Sequence, residues 1–517
     1  MKTPILGSSY VARSVNAADA RMVNLFPEVV PEAGKEPAYL QRAPGLRLLA
    51  SVGAGPIRGM WVLNGALYVV SGNTLYLVNT KYNATALGFV AGKGPVSMAD
   101  NGAVLFIAAG GPGYTYNSLI NEFKKINDGN FPGAGSVAYL DGYFVYTEPG
   151  SQRFYVVQSV SAAGYIYPLQ FDPLDVASAE GSPDGLVALA VAHREAWLFG
   201  TNSVEVWYNQ GGADFPLTRI QGAYNELGCA APASVAKLDN SLFWLGADAR
   251  GNGIVYRSNG YNGARISTHA VEWQIQQYSR IDDAIAYSYQ QDGHAFYVLT
   301  FPTANATWVY DVSTGAWHER ASWDAIAGEW YRHRSNVQVN FNNEIIVGDY
   351  ENGNLYAFDL DVHSDNGEPQ RWLRSWRALP TGQNNLKRTT HHALQLDCET
   401  GTSDDTMLRL LLVSQRLLAE NDNYLVAEDN AKLSEFGFET VAADPEVMLR
   451  WSDDGGHTWS NEHWRSMGRV GQHGFRTIWR RLGMTTQIRD RVYDISGTDP
   501  IKIAIMGAEL TLSGTNA

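Results

Sequence analysis

A unit of two alternating apolar runs, separated by a short polar break, recurs seven times between about Gly59 and Asp359. Four copies align directly: GMWVLNGALYVV, SMADNGAVLFIA, SVAYLDGYFVYT and SVAKLDNSLFWL. In the first three copies the break holds Asn64-Gly65, Asn101-Gly102 and Asp141-Gly142, dipeptides that accept positive φ at both central positions of a tight turn. Because alternation of this kind is typical of half-buried strands, each unit predicts a β-hairpin.

Several hairpins are followed by a third short run that contains aromatic residues, such as NTLYLVN, NSVEVWYN, ATWVYDV and GNLYAFD. The units therefore predict three or four strands each. Their starts lie about 38 to 52 residues apart, close to the ~40–50-residue blade spacing of β-propellers. A stack of β-sandwiches also has regularly spaced strands. We favour a β-propeller of six or seven blades, because the units share a period and show no linker between them.

The pattern divides the chain into three regions. Residues 1–50 are irregular and rich in proline, and they predict an extended N-terminal arm. The hairpin repeats predict a β-propeller over residues 51–370. After the polar, turn-forming stretch 363–367 the period is lost while strand-like runs continue, so residues 371–517 predict a C-terminal β-sandwich-like domain. The predicted fold class is all-β.

The C-terminal domain contains an insert at about 403–445. Its apolar run, Met407–Val413, is too short for a bilayer and too apolar for a free loop. A core strand or short helix explains the run, and so does a contact with another subunit. We favour the core interpretation.

The chain of 517 residues is acidic, with a formal net charge of −14. Tight binding built on many phosphate contacts is therefore not expected from the chain as a whole. No window has the ~18 uninterrupted apolar residues of a membrane span. The start, MKTPILGSSYVARS, lacks the apolar core of a signal peptide. We expect a protein without a membrane span that stays in the cytosol until it assembles.

Few residues are spaced for chemistry. Cys229 and Cys398 have no partner at metal-ligand or redox spacing, and we expect small core residues. His391-His392 lie in a strand-like run, where alternation sends them to opposite faces. Asp282-Asp283 and Asp404-Asp405 fit solvated turns better than acid/base pairs. Since no Walker-type, G-x-S-x-G or H-E-x-x-H pattern occurs, we predict no catalytic, cofactor-binding or metal site.

The sharpest local motif is SDDGGHTW, which fits the Asp-box pattern S-x-D-x-G-x-T-W at Ser452, Asp454, Gly456, Thr458 and Trp459. Asp454 can accept backbone N–H groups within the turn, Gly456 can take positive φ, and Trp459 can pack beneath. The motif therefore predicts a closed β-hairpin. Asp-boxes recur in sialidases and other glycosidases, but they are structural there, and a sialidase would show several boxes on successive blades.

Basic and aromatic residues are interleaved after the Asp-box. Seven arginines alternate with four aromatic residues: Arg465, Arg469, Arg476, Arg480, Arg481, Arg489 and Arg491, with Trp464, Phe475, Trp479 and Tyr493. This composition suits a nucleic-acid face. The alternative is a set of strands whose arginines pair with acidic neighbours, and we favour it in so acidic a chain.

The order of several segments resembles that of a known family. It runs from APGLR and PIRGM, through SPDGLVALAVAHREAWLFGTNSVEVWYN, to WRRLG and RDRVYDISGTDPIKIAI, and covers about residues 40–517. The stretch 182–185 and the strand-like segment that ends at Glu205 carry most weight. The chain is similar to the packaged-DNA stabilisation proteins of short-tailed bacteriophages, also called tail accessory factors, tail hubs or nozzles.

The resemblance implies a structural virion protein of the phage tail that is not an enzyme and has no catalytic residues to carry over. Members form a ring, usually a homohexamer, below the portal and its adaptor ring, and extend the DNA channel toward a tail needle or tip. The implied partners are therefore other copies, the adaptor and portal, and the needle, with room for a tailspike or fibre.

The family also helps to retain the packaged genome and takes part in DNA ejection. Double-stranded DNA is then a transient, non-specific partner that must pass without sticking. An acidic wall suits this role, so we expect only weak, salt-sensitive binding of duplex DNA. The contacts between copies are expected in the N-terminal arm, the 403–445 insert or the arginine-rich C-terminal strands.

A second function class stays open: a carbohydrate-binding or glycosidase-like tail protein that acts on host surface glycans. Phages use propellers for both tasks, and the chain has 15 tryptophans. Most of these lie in strand runs, where we expect core positions. A cellular propeller scaffold is a third possibility, but its usual blade signature, a repeated Trp-Asp pair, is missing.

Overall fold

Strands form almost all of the regular structure, and they build a propeller and a sandwich, which confirms the predicted all-β fold class. The computed structural model describes residues 1–14, 18–30, 34, 36–212, 214–248, 251–380, 388–400, 408–416, 434–442, 444–469, 472, 474–485 and 491–514. Within this part, the helical elements are the α-helix His269–Gln276 and the 3-10 turn Pro232–Ser234.

Seven four-stranded antiparallel units form the blades, numbered here in chain order. Blade 1 contains the strands Ile57–Leu63, Ala66–Ser71, Thr74–Val78 and Ala84–Phe89. Blade 2 contains Ser97–Asp100, Val104–Ala108, Gly113–Asn117 and Glu122–Lys125. Blade 3 contains Val137–Leu140, Tyr143–Thr147, Arg153–Gln158 and Val176–Ser178. Blade 4 contains Leu186–Ala192, Glu195–Gly200, Val204–Asn209 and Leu217–Asn225. Blade 5 contains Ala236–Leu238, Ser241–Asp248, Gly251–Asn259 and Asn262–Arg265. The short strand Gly228–Cys229 pairs with the second strand of blade 5.

Blades 6 and 7 complete the circle. Blade 6 contains Ile285–Gln291, His294–Phe301, Ala306–Asp311 and Ala316–Glu319. Blade 7 contains Ser335–Phe341, Glu344–Asp349, Asn354–Asp359 and Gly45–Ser51. The outer strand of blade 7 therefore comes from the N-terminal side of the repeats, and it pairs antiparallel with the third strand of that blade. The first strand of blade 1 packs against the first strand of blade 7. The predicted six or seven blades are seven, and the two ends of the repeat region close the ring together.

The first hairpin of each blade turns tightly. Six of the seven turns have two residues with positive φ, at 64–65, 141–142, 193–194, 239–240, 292–293 and 342–343. The predicted geometry is confirmed at Asn64-Gly65 and Asp141-Gly142. It is wrong at Asn101-Gly102, where only Gly102 has positive φ. There the Asn101 side chain accepts hydrogen bonds from the N–H groups of Ala103 and Val104, which stabilises a longer turn.

The sandwich has two sheets. One contains, in spatial order, Thr477–Met484, Thr389–Thr400, Ile503–Gly514, Ala38–Arg42 and Leu25–Val29, with Lys2–Thr3 also on Ile503–Gly514. The other contains Met22–Val23, Trp372–Arg377, Val492–Gly497, Glu446–Ser452 and His463–Ser466. Buried apolar side chains from both sheets, among them Leu40, Trp376, Leu394, Leu449 and Ile505, form one core.

The N-terminal segment differs from the extended arm that we predicted for residues 1–50. Its strands Leu25–Val29 and Ala38–Arg42 pair within the sandwich, and Gly45–Ser51 belongs to blade 7. The backbone N–H and C=O groups of a buried segment need partners, and strand pairing supplies them. The prolines made the segment look irregular because they interrupt the alternation of short strands without preventing the pairing.

The predicted insert at about 403–445 contains two strands, Leu408–Arg416 and Ser434–Ala442, which pair antiparallel. Residues 401–407, 417–433 and 443, and with them Asp404-Asp405, lie outside the described residues. Four further short pairs decorate the fold: Tyr10–Val11 with Asp19–Ala20, Val160–Ser161 with Gly164–Tyr165, Ala321–Asp324 with Glu329–Arg332, and Ser364–Asp365 with Glu368–Pro369.

Aromatic side chains fill the spaces between blades and between sheets. Between blades 2 and 3, the ring of Phe106 lies 5.6 Å from that of Phe144 and 5.8 Å from that of Tyr146. Six tryptophans are among the largest fully buried side chains: Trp197, Trp244, Trp317, Trp372, Trp376 and Trp479. They occupy the core positions that the strand pattern predicted, so these six indole rings are not a carbohydrate-binding surface.

Closure of the ring can be tested on the strand Gly45–Ser51. Leu46 is 1% exposed and packs into the core between blades 6 and 7, whereas Leu48 on the same strand is 44% exposed. We expect Leu46→Ala to lower the free energy of unfolding by about 2–5 kcal/mol through the cavity it leaves. Leu48→Ala should change it by less than about 0.5 kcal/mol. Urea denaturation followed by tryptophan fluorescence measures both, and equal effects would contradict closure through the buried face of this strand.

Candidate functional site

The propeller and the sandwich are joined by a continuous sheet. Met22–Val23 pairs in parallel with Glu319 at the edge of blade 6 and antiparallel with Trp372–Arg377 of the sandwich. The next residue, Asn24, is fully buried, and its amide donates to the carbonyls of Ala321 and Arg371, each at 2.7 Å. Its Oδ1 accepts from the N–H of Ala321 at 3.0 Å. The strand and one amide side chain thus fix the sandwich on blade 6.

Charged side chains strengthen this junction. Arg21 donates to both carboxylate oxygens of Glu319, with Nε and Nη2 at 3.0 and 2.8 Å from them. The charge of Glu319 raises the pKa of Arg21, so the ion pair stays formed. Arg320 is 1% exposed, and its guanidinium lies 5.0 Å from the ring centroid of Phe296 and 5.4 Å from that of Tyr289. Cation–π contacts stabilise this buried positive charge.

His294 links blade 6 to the sandwich. Its Nδ1 lies 2.8 Å from Asp311 of the same blade, and its Nε2 lies 2.6 Å from Glu28 of the sandwich strand Leu25–Val29. Burial lowers the pKa of His294, but the hydrogen bonds to Asp311 and Glu28 outweigh burial and raise the pKa to about 9. The imidazolium is therefore the form at neutral pH, and it donates to both carboxylates.

Arg42 ties the sandwich to the segment that leaves the propeller. The side chain is 3% exposed, and Nη1 donates to the carbonyl of Asp499 at 2.6 Å. Nη2 donates to the carbonyls of Gln370 and His363 at 2.6 and 3.1 Å. Burial lowers the pKa of Arg42 to about 10. A guanidinium can satisfy several carbonyls at once, which makes it a suitable cross-link between segments distant in sequence.

The Asp-box forms the turn between the sandwich strands Glu446–Ser452 and His463–Ser466. Asp454 accepts from the N–H groups of His457 and Thr458 at 3.0 and 2.9 Å and from the hydroxyls of Ser452 and Thr458, each at 2.6 Å. These hydrogen bonds, that of Ser452 foremost, hold the pKa of Asp454 well below its usual range. Gly456 has φ of 96° and donates to Ser452. The geometry is that of a closed turn with its carboxylate fully engaged.

Trp459, the last position of the motif, packs against a charged neighbour. It is half-buried, and the guanidinium of Arg450 lies 4.8 Å from its ring centroid. The preceding carboxylate, Asp453, binds Arg491 in a two-point ion pair with distances of 2.6 and 2.9 Å. The Asp-box region therefore serves to anchor the hairpin on the sandwich, and its carboxylates are both occupied.

The arginine-rich stretch behaves differently from our favoured interpretation. Of the arginines described there, Arg491 is buried and paired with Asp453. The remaining five are exposed, and none has an acidic partner within ion-pair distance in the described part of the chain: Arg465, Arg469, Arg476, Arg480 and Arg481. Arg489 lies outside the described residues. Acidic neighbours in the sequence therefore did not decide which arginines are paired.

The other candidate residues have structural environments. His391 is buried against the Tyr493 hydroxyl at 2.6 Å, and burial lowers its pKa to about 4, while His392 is exposed on the opposite face. Cys229 is buried and Cys398 is half-buried, and burial raises the pKa of each thiol to about 11. Asp282-Asp283 lie in a turn, where they bind Arg280 and Thr303.

The first strands of the blades enclose a cavity of about 640 Å³ on the propeller axis. Its lining includes Trp61, Met98, Tyr139, Leu189 and Tyr287. A space of this volume is comparable with a small-molecule pocket.

The described residues contain neither a metal-binding cluster nor a membrane-spanning helix. No group of three or more His, Cys, Asp or Glu side chains there is arranged to hold a metal ion. Across the same residues, no helix is long and apolar enough to span a membrane.

Sequence reasoning found the Asp-box but missed the junction. Asn24, Arg42 and His294 are single polar residues in strand-like surroundings, and each has a junction partner more than 250 residues away in the chain. Asn24 has a positive φ of 52°, a conformation that Asn tolerates better than most residues, so the residue type is the local feature that fits its place in the junction. Local sequence patterns do not encode such distant partners.

Two family models match the chain in order. The model described as Bacteriophage P22 Gp10, beta-propeller, matches residues 1–363, and the model described as Bacteriophage P22 Gp10, beta-sandwich, matches residues 411–513. Both descriptions agree with the two parts of the fold. The first match alone covers more than half of the chain and includes the N-terminal strands that close blade 7.

Solved structures add only a general likeness. A mitotic checkpoint complex chain is 12% identical over 65% of this chain and 97% of its own, with a TM-score of 0.40. The designed Ika8 protein is 13% identical over 66% of this chain and 99% of its own, with a TM-score of 0.37. The Cps50 (Swd1) propeller of Myceliophteria thermophila is 8% identical over 60% of this chain and 98% of its own, also with a TM-score of 0.37. Scores at this level carry no functional argument. The comparison with curated proteins found no match.

The His294 bridge predicts a specific pH dependence. The folded-state pKa of about 9 lies above the usual value of 6.5, so folding favours the protonated form. The stabilisation is complete below about pH 6.5 and is lost as the pH rises through about 9, with a magnitude on the order of 2–3 kcal/mol. We expect the difference in unfolding free energy between wild type and His294→Gln to shrink between pH 7 and pH 10.

Glu28→Gln serves as the matched control, because it removes only the sandwich side of the bridge. Its stability should show a weaker pH dependence than that of wild type. Chemical denaturation at a series of pH values measures all three proteins. A difference between wild type and His294→Gln that is constant from pH 6 to pH 10 would contradict a charged bridge.

The Asp-box turn depends on one carboxylate. Asp454→Ala removes the acceptor for two N–H groups and two hydroxyls, so we expect local opening of residues 452–460. Loss of at least one net hydrogen bond predicts about tenfold faster amide exchange in this turn. Hydrogen exchange with mass spectrometry measures it, with the exposed neighbour His457→Ala as control. Unchanged exchange in Asp454→Ala would show that the strands alone hold the turn.

Proposed function

The chain belongs to the family of bacteriophage P22 Gp10, and from that premise we propose that it forms the ring-shaped tail hub, or nozzle, of a short-tailed phage. Membership makes the chain a structural protein of the phage tail, located in the virion, where it assembles with other virion proteins. The ring, its place in the tail and its role in DNA retention and ejection are the proposed steps. The proposed role is structural and not catalytic.

One observation carries the proposal: the two family models follow each other along the chain and coincide with a propeller and a sandwich that share strands. A sheet that continues from blade 6 into the sandwich resists hinge motion, because bending it would break main-chain hydrogen bonds. The protomer is therefore suited to a wall that carries load.

We place the DNA channel between copies of the chain. The space between the first strands of one propeller, about 640 Å³, has the size of a small-molecule pocket, so the proposed DNA path lies in a ring of protomers. A ring of six copies below the portal and adaptor would extend the channel toward a needle or tip, with a tailspike or fibre as a further partner. The formal net charge of −14 favours sliding over adhesion, and duplex DNA should bind weakly.

In this proposal the chain is made in the host cytoplasm and joins the tail after the adaptor. Ring formation then depends on the order of assembly. The retained genome is released when the plug at the end of the channel leaves. Nothing in this sequence of events needs a reaction at the Asp-box, whose carboxylates are engaged in the turn.

The test is the mass of the full-length protein, first alone and then mixed with the purified portal–adaptor complex of its phage, measured by mass photometry. We expect a monomer alone and a ring of about six copies on the adaptor. The portal complex without the adaptor serves as control and should not recruit the ring. A monomer or trimer that ignores the adaptor and binds glycans would overturn the proposal in favour of a receptor-binding tail protein.

A further inference from the structure

The two sheets of the sandwich expose their edge strands side by side, at His463–Ser466 and Thr477–Met484. The side chains on and beside these strands form what we call the basic edge, defined by the described residues Arg465, Arg469, Arg476, Arg480, Arg481, Trp464, Phe475 and Met484. All five arginines are exposed, as are Trp464 at 46%, Phe475 at 42% and Met484 at 45%. The edge is thus both positively charged and apolar.

The acidic residues described beside the basic edge do not pair with its arginines. Glu462 lies 3.8 Å from Arg371, and Asp444 binds the hydroxyl of Ser466. Glu446, opposite Ser466 in the strand pairing, makes no ion pair with the basic edge in the described residues. The described residues therefore leave the charge of the edge without an acidic partner.

The composition of the basic edge is that of a protein interface. Exposed charge on an edge strand alone is explained by protection against aggregation. Three large exposed apolar side chains are not explained in this way, because they work against such protection. Arginine, tryptophan and methionine are enriched in the centres of interfaces, where lysine is depleted, and residues 444–501 contain no lysine.

A complementary patch lies on blade 3. We call it the acidic loop, defined by Asp128, Asp172, Leu174 and Asp175. Leu174 is 80% exposed, and the three aspartates have no ion-pair partner among the described residues. Asp172 accepts from the N–H of Leu174 at 2.8 Å, which holds the apolar side chain outward between acidic neighbours. The patch therefore presents an apolar tip in a negative rim.

The two patches lie at opposite ends of the protomer. Blades 6 and 7 carry the sandwich, and blade 3 is three blades from each of them around the ring. Among the described residues, the basic edge and the acidic loop of one molecule share no ion pair. Two different, complementary patches on one chain produce a heterologous contact, which closes into a ring when the rotation between copies allows it.

We propose that the basic edge of one copy binds the acidic loop of the next copy, with Leu174 inserted between Trp464 and Phe475 and the arginines around the aspartates. The inference rests on the proposed ring and names the surfaces that build it. A second copy is favoured over other acidic partners because this chain supplies both halves of the complementarity. The contact should weaken with salt, because most of its charges are exposed.

Charge reversal tests the contact in the full-length protein. The first variant carries Arg465→Glu and Arg480→Glu, and the second carries Asp172→Arg and Asp175→Arg. Each variant opposes like charges when it meets itself, so we expect at least about tenfold weaker assembly on the portal–adaptor complex. In a mixture of the two variants every junction is again complementary. We expect the mixture to recover assembly in a ring where the variants alternate, as an even number of copies permits.

Lys81→Glu with Lys93→Glu is the matched control, because it changes the net charge as much as the first variant but lies on blade 1. This control should assemble like wild type. The melting temperature of each variant confirms folding, since the changed side chains are exposed or half-buried. Mass photometry at low and moderate salt measures the fraction of full rings.

The outcomes separate the two proposals. If wild type forms rings and either variant alone does so equally well, or if mixing fails to restore them, the contact is wrong while the tail hub stands. If wild type forms no ring on the adaptor, both proposals fall. If the first variant assembles normally but loses duplex DNA binding, the basic edge is a nucleic-acid surface and the contact between copies is overturned.

Discussion

Main-chain pairing of residues 22–51 holds the molecule together. Within this segment, Met22–Val23 joins blade 6 to the sandwich, Leu25–Val29 and Ala38–Arg42 complete a sandwich sheet, and Gly45–Ser51 closes blade 7. Every one of these pairings except the hairpin Leu25–Val29 with Ala38–Arg42 joins residues about 300 or more positions apart. Such contacts close very long loops, so the propeller and sandwich gain stability only when both are formed. The two parts are therefore expected to unfold as one cooperative unit.

The sequence predicted contacts between residues that are close in the chain, but it did not predict contacts between residues that are far apart. Hairpins with Asn-Gly and Asp-Gly turns, the blade period and the Asp-box depend on residues within about ten positions of each other, and the pattern predicted them. The positive φ pair His193-Arg194 carries no glycine, so that turn was visible only as a looser repeat. The closing strand and the junction depend on partners at the other end of the chain, such as Asn24 with Arg371. No local pattern encodes them.

Net charge described the chain correctly as a whole and poorly at one place. The formal net charge of −14 led us to expect that arginines near the C-terminus pair with acidic neighbours. Arg491 does so because it points inward, where an unpaired charge would be costly, and Asp453 meets it there. Arg480 and its exposed companions meet water instead, where leaving a charge unpaired costs little. Burial, which the pattern of charges does not report, decided which arginines found a partner.

The contrast between buried and exposed charges also separates permanent contacts from reversible ones. At the junction, Arg42 and His294 are almost fully desolvated, so breaking their hydrogen bonds would leave buried charges without partners. At the basic edge the arginines are exposed in the protomer, so salt screens their charges and weakens a contact made through them. The proposed tail hub needs both properties, since its protomer must not deform under the packaged genome while the proposed ring must assemble in order. The sheet shared by propeller and sandwich supplies the rigidity of the protomer, and the exposed charges of the surface supply the reversible contacts.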